Sequence, residues 1–361
     1  MLDRRPHRTI TKLHNIEQEE GSCHVSASVP RCAHGSALRF SRVDTNSGLT
    51  RDFYACSVSR DRKLCRLFHW VEDWERKSAR GATLSKQITD GPSRNKKARF
   101  EENLGIETLV DNSSNAQFTF DRESISIINS ICRNLMTGSD QNRFLCLGTP
   151  SIHRDLMRQG TESVLLDEDK RLGSVSEAVY RFNMFTGEYL DSDPALEDTF
   201  AVIICDPPFQ PELLPALFNS IQKRFPKSYN SASILFAFPY FFKAKVTECC
   251  PRLNTMPDLR LTYSNHYKYK TACRSPVRLF TSSLSLKTIL QTAPRGYHLC
   301  EPCGEIVSDL NKHCNQCNTC TTIAGKNEFK HCEECGKCVK GTAVHCSSCK
   351  RCFISSHTCS N

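Results

Sequence analysis

No stretch of this 361-residue chain approaches the ~20 consecutive apolar residues that a membrane-crossing helix needs. Its opening, Met1-Leu2-Asp3-Arg4-Arg5-Pro6-His7-Arg8, has no apolar core, so no secretory signal is expected. Glycine is scarce where a dinucleotide fingerprint would need three; a single Gly148 follows the first candidate strand of the central region. These absences argue against a membrane protein and against a secreted disulfide scaffold. Cysteine, by contrast, is abundant, at 22 residues. Cysteines in Cys-x-x-Cys pairs with interleaved histidines, in a reducing compartment, read as zinc ligands. The net charge of +9 is compatible with a polyanionic partner without requiring one.

The pattern divides the chain into segments. Residues 1–29 are polar and aperiodic, and disorder is expected there. Residues 30–75 form a compact block rich in cysteine and aromatics, and residues 76–116 read as a basic, then polar, linker with a short helix near Trp74–Arg80. Lys96-Lys97-Ala98-Arg99 fits a solvated charge run or a nuclear localisation signal. From 117 to 292 strands alternate with helices. The spacing predicts strands at Arg143–Leu147, Ser163–Leu166, Ala178–Asn183, Phe200–Cys205, Ile234–Phe238, Arg260–Tyr263 and Val277–Thr281. Helices are predicted at Asp121–Met136, with Ile125, Ile128, Ile131 or Cys132, and Leu135 on its apolar face, and at Pro211–Phe225. The expected fold class is α/β, a Rossmann-like seven-stranded sheet flanked by N-terminal and C-terminal zinc modules.

The most informative residues are Asp206-Pro207-Pro208-Phe209, just after the apolar run Phe200–Cys205. Ligands of open α/β sheets bind at the carboxyl ends of such strands. The lone pair of an exocyclic amine on a base is delocalised into the ring, so the amine is a poor nucleophile. A carboxylate accepting one N–H and a proline-flanked carbonyl accepting the other would orient it and offset developing positive charge. Phe209 could stack on the extruded base. The tetrapeptide resembles the motif of enzymes that methylate exocyclic amines with S-adenosylmethionine.

Three earlier strand ends suit a nucleoside cofactor. Gly148 permits close backbone approach, Asp167 could accept ribose hydroxyls, and Asn183 with Met184 suits an adenine edge and face. Phe238-Pro239-Tyr240-Phe241-Phe242 walls a base pocket or fills core. Tyr263-Ser264-Asn265-His266-Tyr267-Lys268-Tyr269-Lys270, with Arg274 and Arg278, suits stacked single-stranded nucleic acid or forms a polar hairpin loop.

Zinc ligands stand at both ends. Cys32, His34, Cys56 and Cys65 make one four-ligand set beside Phe53, Tyr54, Phe68 and Trp70. In residues 298–361, twelve cysteines and four regularly placed histidines, with His298 outside the register, divide into an interleaved ladder. Its sites are Cys300, Cys303, His313, Cys320; Cys314, Cys317, His331, Cys338; Cys332, Cys335, His345, Cys352; and a shortened Cys346, Cys349, His357, Cys359. About five zinc ions are expected in all.

In order and motif, residues 30–75 and 117–359 resemble the zinc-finger (CCHC-domain-containing) 28S ribosomal RNA N6-adenosine methyltransferases. The first block is similar to a GRF-type finger, and the ladder to the cysteine-rich domain of DHHC proteins. No Asp-His-His-Cys occurs, which excludes a palmitoyltransferase. Gln117-Phe118-Thr119-Phe120 resembles the family segment that closes over the cofactor, without its proline. The resemblance implies catalytic Asp206, Pro207, Pro208 and Phe209. It implies cofactor contacts from Gln117, Phe118, Thr119, Phe120, Gly148, His153, Asp167, Asn183, Met184 and Asp206. It further implies ribosomal RNA and S-adenosylmethionine as partners, no membrane, no obligate protein partner, and a nuclear or nucleolar location with some in cytoplasm. Two departures stand out: residues 76–116 hold no cysteine or histidine for the family's C2H2 finger, and no knuckle follows the ladder. Two other readings stay open: a zinc-rich RNA-binding ribosome-assembly factor with an inactive methyltransferase fold, and an N6-adenine methyltransferase acting on another nucleic acid.

Overall fold

A computed structural model describes residues 11–13, 29–43, 48–59, 62–79, 118–136, 142–174, 178–253, 259–272, 275–282, 296–309, 311–321, 329–354 and 357–359. Its central sheet has seven strands in the order β12-β11-β10-β6-β7-β8-β9. These are β6 (Phe144–Leu147), β7 (Ser163–Asp167), β8 (Val179–Asn183), β9 (Glu188–Tyr189), β10 (Val202–Cys205), β11 (Ser233–Pro239) and β12 (Val277–Thr281). Seven strands were expected, but the membership differs. Arg260–Tyr263 makes only isolated bridges, Arg260 to Arg278 and Phe120 to Tyr263, and the seventh strand is the short hairpin partner β9. Chain packing divides the molecule into two units.

One unit comprises residues 1–117, 165–198 and 210–226. Its N-terminal sheet runs β1-β3-β4-β5, with β2 beside β3. The strands are β1 (Thr11–Leu13), β2 (Arg31–Cys32), β3 (Gly35–Val43), β4 (Thr50–Cys56) and β5 (Phe68–Trp70). The segment read as disordered thus supplies a strand, because Thr11–Leu13 pairs with Phe40–Arg42. Phe40, Phe53 and Phe68 stack at centroid distances of 5.6 and 5.1 Å, and Trp70 meets Phe53 and Phe68 edge-on. Such pairs each contribute about 0.5–1.5 kcal/mol beyond area burial. Helix α1 (Val71–Ala79) starts earlier than expected and packs Val71 against Ala37 and Tyr54. In the same unit, α4 (Leu214–Arg224) buries Leu214, Leu217, Phe218 and Ile221. It stops at Phe225, which sits at φ −129°, because Pro226 disfavours helical backbone in the residue before it.

The other unit comprises residues 118–164, 199–209 and 227–361. Within it β6 and β11 flank β10 in parallel, and β12 closes antiparallel on β11. All four residues of β6 and of β10 are buried, as an inner strand covered on both faces requires. Helix α2 (Arg122–Met136) is capped by Asp121, whose Oδ1 accepts the Ser124 N–H at 2.9 Å. Its buried stripe runs through Ile128, Ile131 and Cys132, as expected, and takes in Ile127, while Ile125 and Leu135 are half-buried. Helix α3 (Pro150–Arg158) follows β6, and its Asp155 accepts the Asn129 amide of α2. The C-terminal segment is four two-stranded hairpins, β13 (Tyr297–Cys300) with β14 (Glu305–Ser308), β15 (Lys312–Cys314) with β16 (Thr319–Thr321), β17 (Phe329–Cys332) with β18 (Lys337–Lys340), and β19 (Val344–Cys346) with β20 (Arg351–Phe353). The Tyr297 hydroxyl accepts the Arg260 N–H at 2.9 Å, tying the first hairpin to the segment that bridges to β12. No helix among the described residues is long and apolar enough to cross a membrane.

Candidate active site and zinc centres

Strand order reverses between β6 and β10, the place where open α/β sheets bind ligands. Cys205 lies opposite Leu147 there, and the Asp206 N–H donates to the Leu147 carbonyl at 3.1 Å. The next residue on β6, Gly148, has φ +64°, a left-handed conformation that a side chain would strain. Backbone without a Cβ is thereby presented beside Asp206.

Asp206 opens the ledge and Pro207 is buried behind it, while Pro208 is exposed. The Tyr263 hydroxyl donates to Asp206 Oδ1 at 2.9 Å. Burial pushes the Asp206 carboxyl up to about 8, and the Tyr263 hydrogen bond holds it from rising further. Burial and the neighbouring Asp206 charge push the Tyr263 phenol well above its ordinary value, so it stays a donor. The Tyr263 ring is fixed from below by Phe120, stacked at 4.9 Å. Phe209 is half-buried, edge-on to Phe238 at 5.5 Å and 6.4 Å from Tyr263. The sequence offered no sign that Tyr263 would serve Asp206. It lies 57 positions away, and the pairings of Phe120 with Tyr263 and of Arg260 with Arg278 bring it in.

The segment that resembles a cofactor flap is anchored to the 263–266 segment. Gln117 lies outside the described residues. The Thr119 N–H donates to Asn265 Oδ1 at 2.9 Å, its hydroxyl pairs with that of Ser264 at 2.8 Å, and Phe120 is core. Phe118 packs on His266 at 4.4 Å. His153 is fully buried, with Nδ1 2.7 Å from the Ser163 hydroxyl at the amino end of β7 rather than its carboxyl edge. Arg278 is also buried and donates to the Ser275 and Val277 carbonyls, so it is a framework residue rather than a phosphate contact. Arg274 is outside the described residues, while Tyr240 and Phe241 are exposed beside β11.

The other unit carries the remaining strand-end residues. Asp167 is buried at the end of β7, with Oδ1 accepting the Asp169 N–H at 2.9 Å. Burial pushes the adjacent Glu168 carboxyl up to about 7, against the pull of His34. Asn183 departs from its expected role. Its Nδ2 donates to the His34 carbonyl at 2.5 Å and to the Ser57 hydroxyl at 2.6 Å, and its Oδ1 accepts the Phe185 and Thr186 N–H groups. The amide is thus occupied in clamping the finger to β8 and cannot also read an adenine edge. Met184 is half-buried, and its carbonyl accepts the Ser220 hydroxyl. Glu188 adds a second clamp, accepting from the Ser36 N–H and hydroxyl at 2.8 Å and from Arg31 at 2.6 Å. No local pattern in the sequence marks Glu188.

All five predicted ligand sets assemble, each with its ligand atoms within 4.8 Å of one another. A tetrahedral zinc with bonds of ~2.3 Å to sulfur needs sulfurs ~3.8 Å apart. Cys32 and Cys56 sulfurs lie 3.8 Å apart, and His34 Nδ1 lies 3.7 and 3.5 Å from them. In the ladder, Cys303–Cys320, Cys317–Cys338 and Cys335–Cys352 are each 3.6 Å apart. The interleaving follows from strand geometry, in which neighbouring side chains face opposite ways. On β15 His313 serves one site and Cys314 the next; His331 and Cys332 on β17, and His345 and Cys346 on β19, do the same. The last site differs in presenting His357 Nε2, with the ring stacked on Phe353 at 3.6 Å. Thiols with imidazole at this spacing fit zinc. For S-adenosylmethionine, the Cβ-free backbone at Gly148 in one unit and the buried Asp167 carboxylate in the other each suit a nucleoside cofactor, while the Asn183 amide and His153 Nδ1 have partners within the protein.

Fold and site define a methyltransferase of the class that modifies amino groups of bases, built together with zinc modules. Residues 111–275 match the family described as "Probable N6-adenine methyltransferase". The chain is 30% identical over 363 residues to the rRNA N(6)-adenosine-methyltransferase ZCCHC4 of Xenopus tropicalis, covering 80% of this chain and 73% of that one. To the Homo sapiens protein of that name it is 29% identical over 377 residues, 82% of this chain and 72% of the relative. A solved predicted O-methyltransferase from Agrobacterium tumefaciens aligns over 42% of this chain and 78% of its own at 10% identity, with a TM-score of 0.26, too low to argue from. The chain belongs to the ZCCHC4 family of rRNA N(6)-adenosine-methyltransferases.

Proposed function

We propose that this protein methylates N6 of an adenosine in large-subunit ribosomal RNA. The observation that carries this reading is Asp206, held by Tyr263 on the Pro-Pro-Phe ledge at the strand switch point. S-adenosylmethionine supplies the methyl group as a reactive sulfonium. Asp206, when ionised, accepts one amine N–H and the backbone carbonyl of the ledge accepts the other, which directs the nitrogen lone pair at the methyl. As the bond forms, positive charge grows on nitrogen and the carboxylate offsets it in a largely water-free site. Phe209 covers the base, and Asp167 holds the ribose of the cofactor. The zinc modules and the +9 charge hold the RNA backbone, largely without regard to sequence. A nuclear or nucleolar site of action follows from such a substrate. The test is transfer of labelled methyl from S-adenosylmethionine to total RNA, followed by mass spectrometry of the nucleosides. Label in N6-methyladenosine of the large ribosomal RNA is expected; label confined to another nucleoside or to small RNAs would overturn the reading.

A further inference from the structure

The loop between Tyr263 and Tyr269 is unusually well braced for a surface segment. The Tyr263 N–H donates to the Tyr269 carbonyl at 3.0 Å and closes it. His266 Nδ1 accepts the N–H groups of both Lys268 and Tyr269, at 3.0 and 3.1 Å, which fixes the ring. Ser264 is tied to Thr119 through its N–H at 2.9 Å. The aromatic rings form a continuous series. Phe209 on the ledge lies 6.4 Å from Tyr269, Tyr269 stacks on His266 at 4.1 Å and 7°, and His266 stacks on Tyr267 at 5.1 Å and 8°. Tyr267 ends the series, 74% exposed, with the Lys268 ammonium 5.1 Å from its ring.

A large exposed aromatic normally turns inward or lies flat on the surface. Here its backbone is pinned in a braced loop, beside a cation, and the loop is rooted in the residue that holds Asp206. We propose that Tyr267 is the stacking platform for the nucleotide next to the target adenosine in single-stranded RNA, with Lys268 meeting the adjoining phosphate. The proposal rests on the RNA-methylating reading of the same site. Every base has a π face, so the platform tolerates sequence, and it fixes how far the chain enters when the target base is drawn to the ledge. Tyr263 is buried and takes no such part, and half-buried Tyr269 has His266 stacked on its ring.

The test measures binding of the full-length protein to a single-stranded RNA oligonucleotide with one adenosine, and to the same RNA with an abasic site beside it. Tyr267→Ala should raise the RNA Kd about tenfold, the loss of one base–aromatic stack. Tyr267→Trp should restore it. S-adenosylmethionine affinity and Tm should be unchanged in both. The abasic substitution should weaken binding to the wild-type protein and to Tyr267→Trp but not to Tyr267→Ala. An RNA Kd unchanged in Tyr267→Ala, or an abasic effect of equal size in all three proteins, overturns the proposal. Methyl transfer by the wild-type protein, measured alongside, separates that result from a failure of the adenosine-methylating reading.

Discussion

Tyr263 donates its hydroxyl hydrogen to Asp206 across 2.9 Å, and the pair sets the protonation of the group proposed to hold the amine. A protonated Asp206 is a poor acceptor for an amine N–H. Burial places its titration at about 8, so activity in kcat/KM should rise with pH through an inflection near that value and level off above it. The Tyr263 bond lowers the titration, so Tyr263→Phe should move the inflection upward while Phe120 still supports the ring. The sign for stability is opposite. Between the unfolded carboxyl value and about 8 the folded state holds a proton that the unfolded state has lost, so this group's contribution to stability falls as pH rises. A rate profile with its inflection near 4, or one unmoved in Tyr263→Phe, would refute the pairing's role.

Asp206→Ala and Asp167→Ala should fail in different ways. Removing Asp206 deletes an acceptor that acts as charge develops, and such losses cost about 10²–10³ in turnover with cofactor binding nearly intact. Removing Asp167 should weaken S-adenosylmethionine by ~1.5–3 kcal/mol, the contribution of a charged hydrogen bond. Calorimetric titration with the cofactor and single-turnover rates distinguish the two. More than half of wild-type turnover in Asp206→Ala is the outcome that removes it from the active site.

Metal analysis should approach five zinc ions per chain under reducing conditions, matching the five ligand sets. Among the described residues of 296–359 few large apolar side chains are buried, so chelation should unfold that segment while β6, β10 and β11 persist. Limited proteolysis after chelation checks this, with fragments expected from the ladder first. A count of two or fewer would dismiss the ladder.

Gly35→Ala should lower Tm and loosen the finger. Gly35 sits at φ +100°, and an added Cβ would lie 2.8 Å from Glu188 Oε2. Backbone strain of this kind costs about 1–3 kcal/mol, and the clash adds to it. Glu188→Ala removes the clash together with the clamp to Ser36 and Arg31, so Gly35→Ala should cost less in a Glu188→Ala background than in the wild type, with the strained φ still costing something. An equal cost in both backgrounds, or no change in Gly35→Ala alone, contradicts the close approach.

Local chemistry made much of this molecule legible. Apolar runs such as Val202–Cys205 mark inner strands whatever surrounds them, and Cys-x-x-Cys spacing fixes zinc ligands because the metal imposes the geometry. Asp206 was visible because two prolines and an aromatic leave few other uses for that sequence. What escaped was long-range pairing. Asn183 stands at a strand end suited to a cofactor, yet the arrival of His34 and Ser57, at 149 and 126 positions' distance, claims its amide. Arg260–Tyr263 alternates like a strand, but it sits beside β12 through one bridge only. Tyr263 looked like one more RNA-facing tyrosine and is instead buried under the carboxylate it serves.

The alternation of ligands along β15, β17 and β19 makes the ladder a chain of linked equilibria rather than four independent sites. Each of these strands holds His for one ion and Cys for the next on adjacent residues, so it cannot fray on one side without disturbing the other. Loss of an interior ion loosens its neighbours on both sides, while loss of the terminal ion at Cys346, Cys349, His357 and Cys359 loosens one. The ion at the other end, on Cys300, Cys303, His313 and Cys320, sits on a hairpin also held by the Tyr297 bond to Arg260, so metal should leave from the C-terminal end inward, and occupancy there sets how much of the array is rigid.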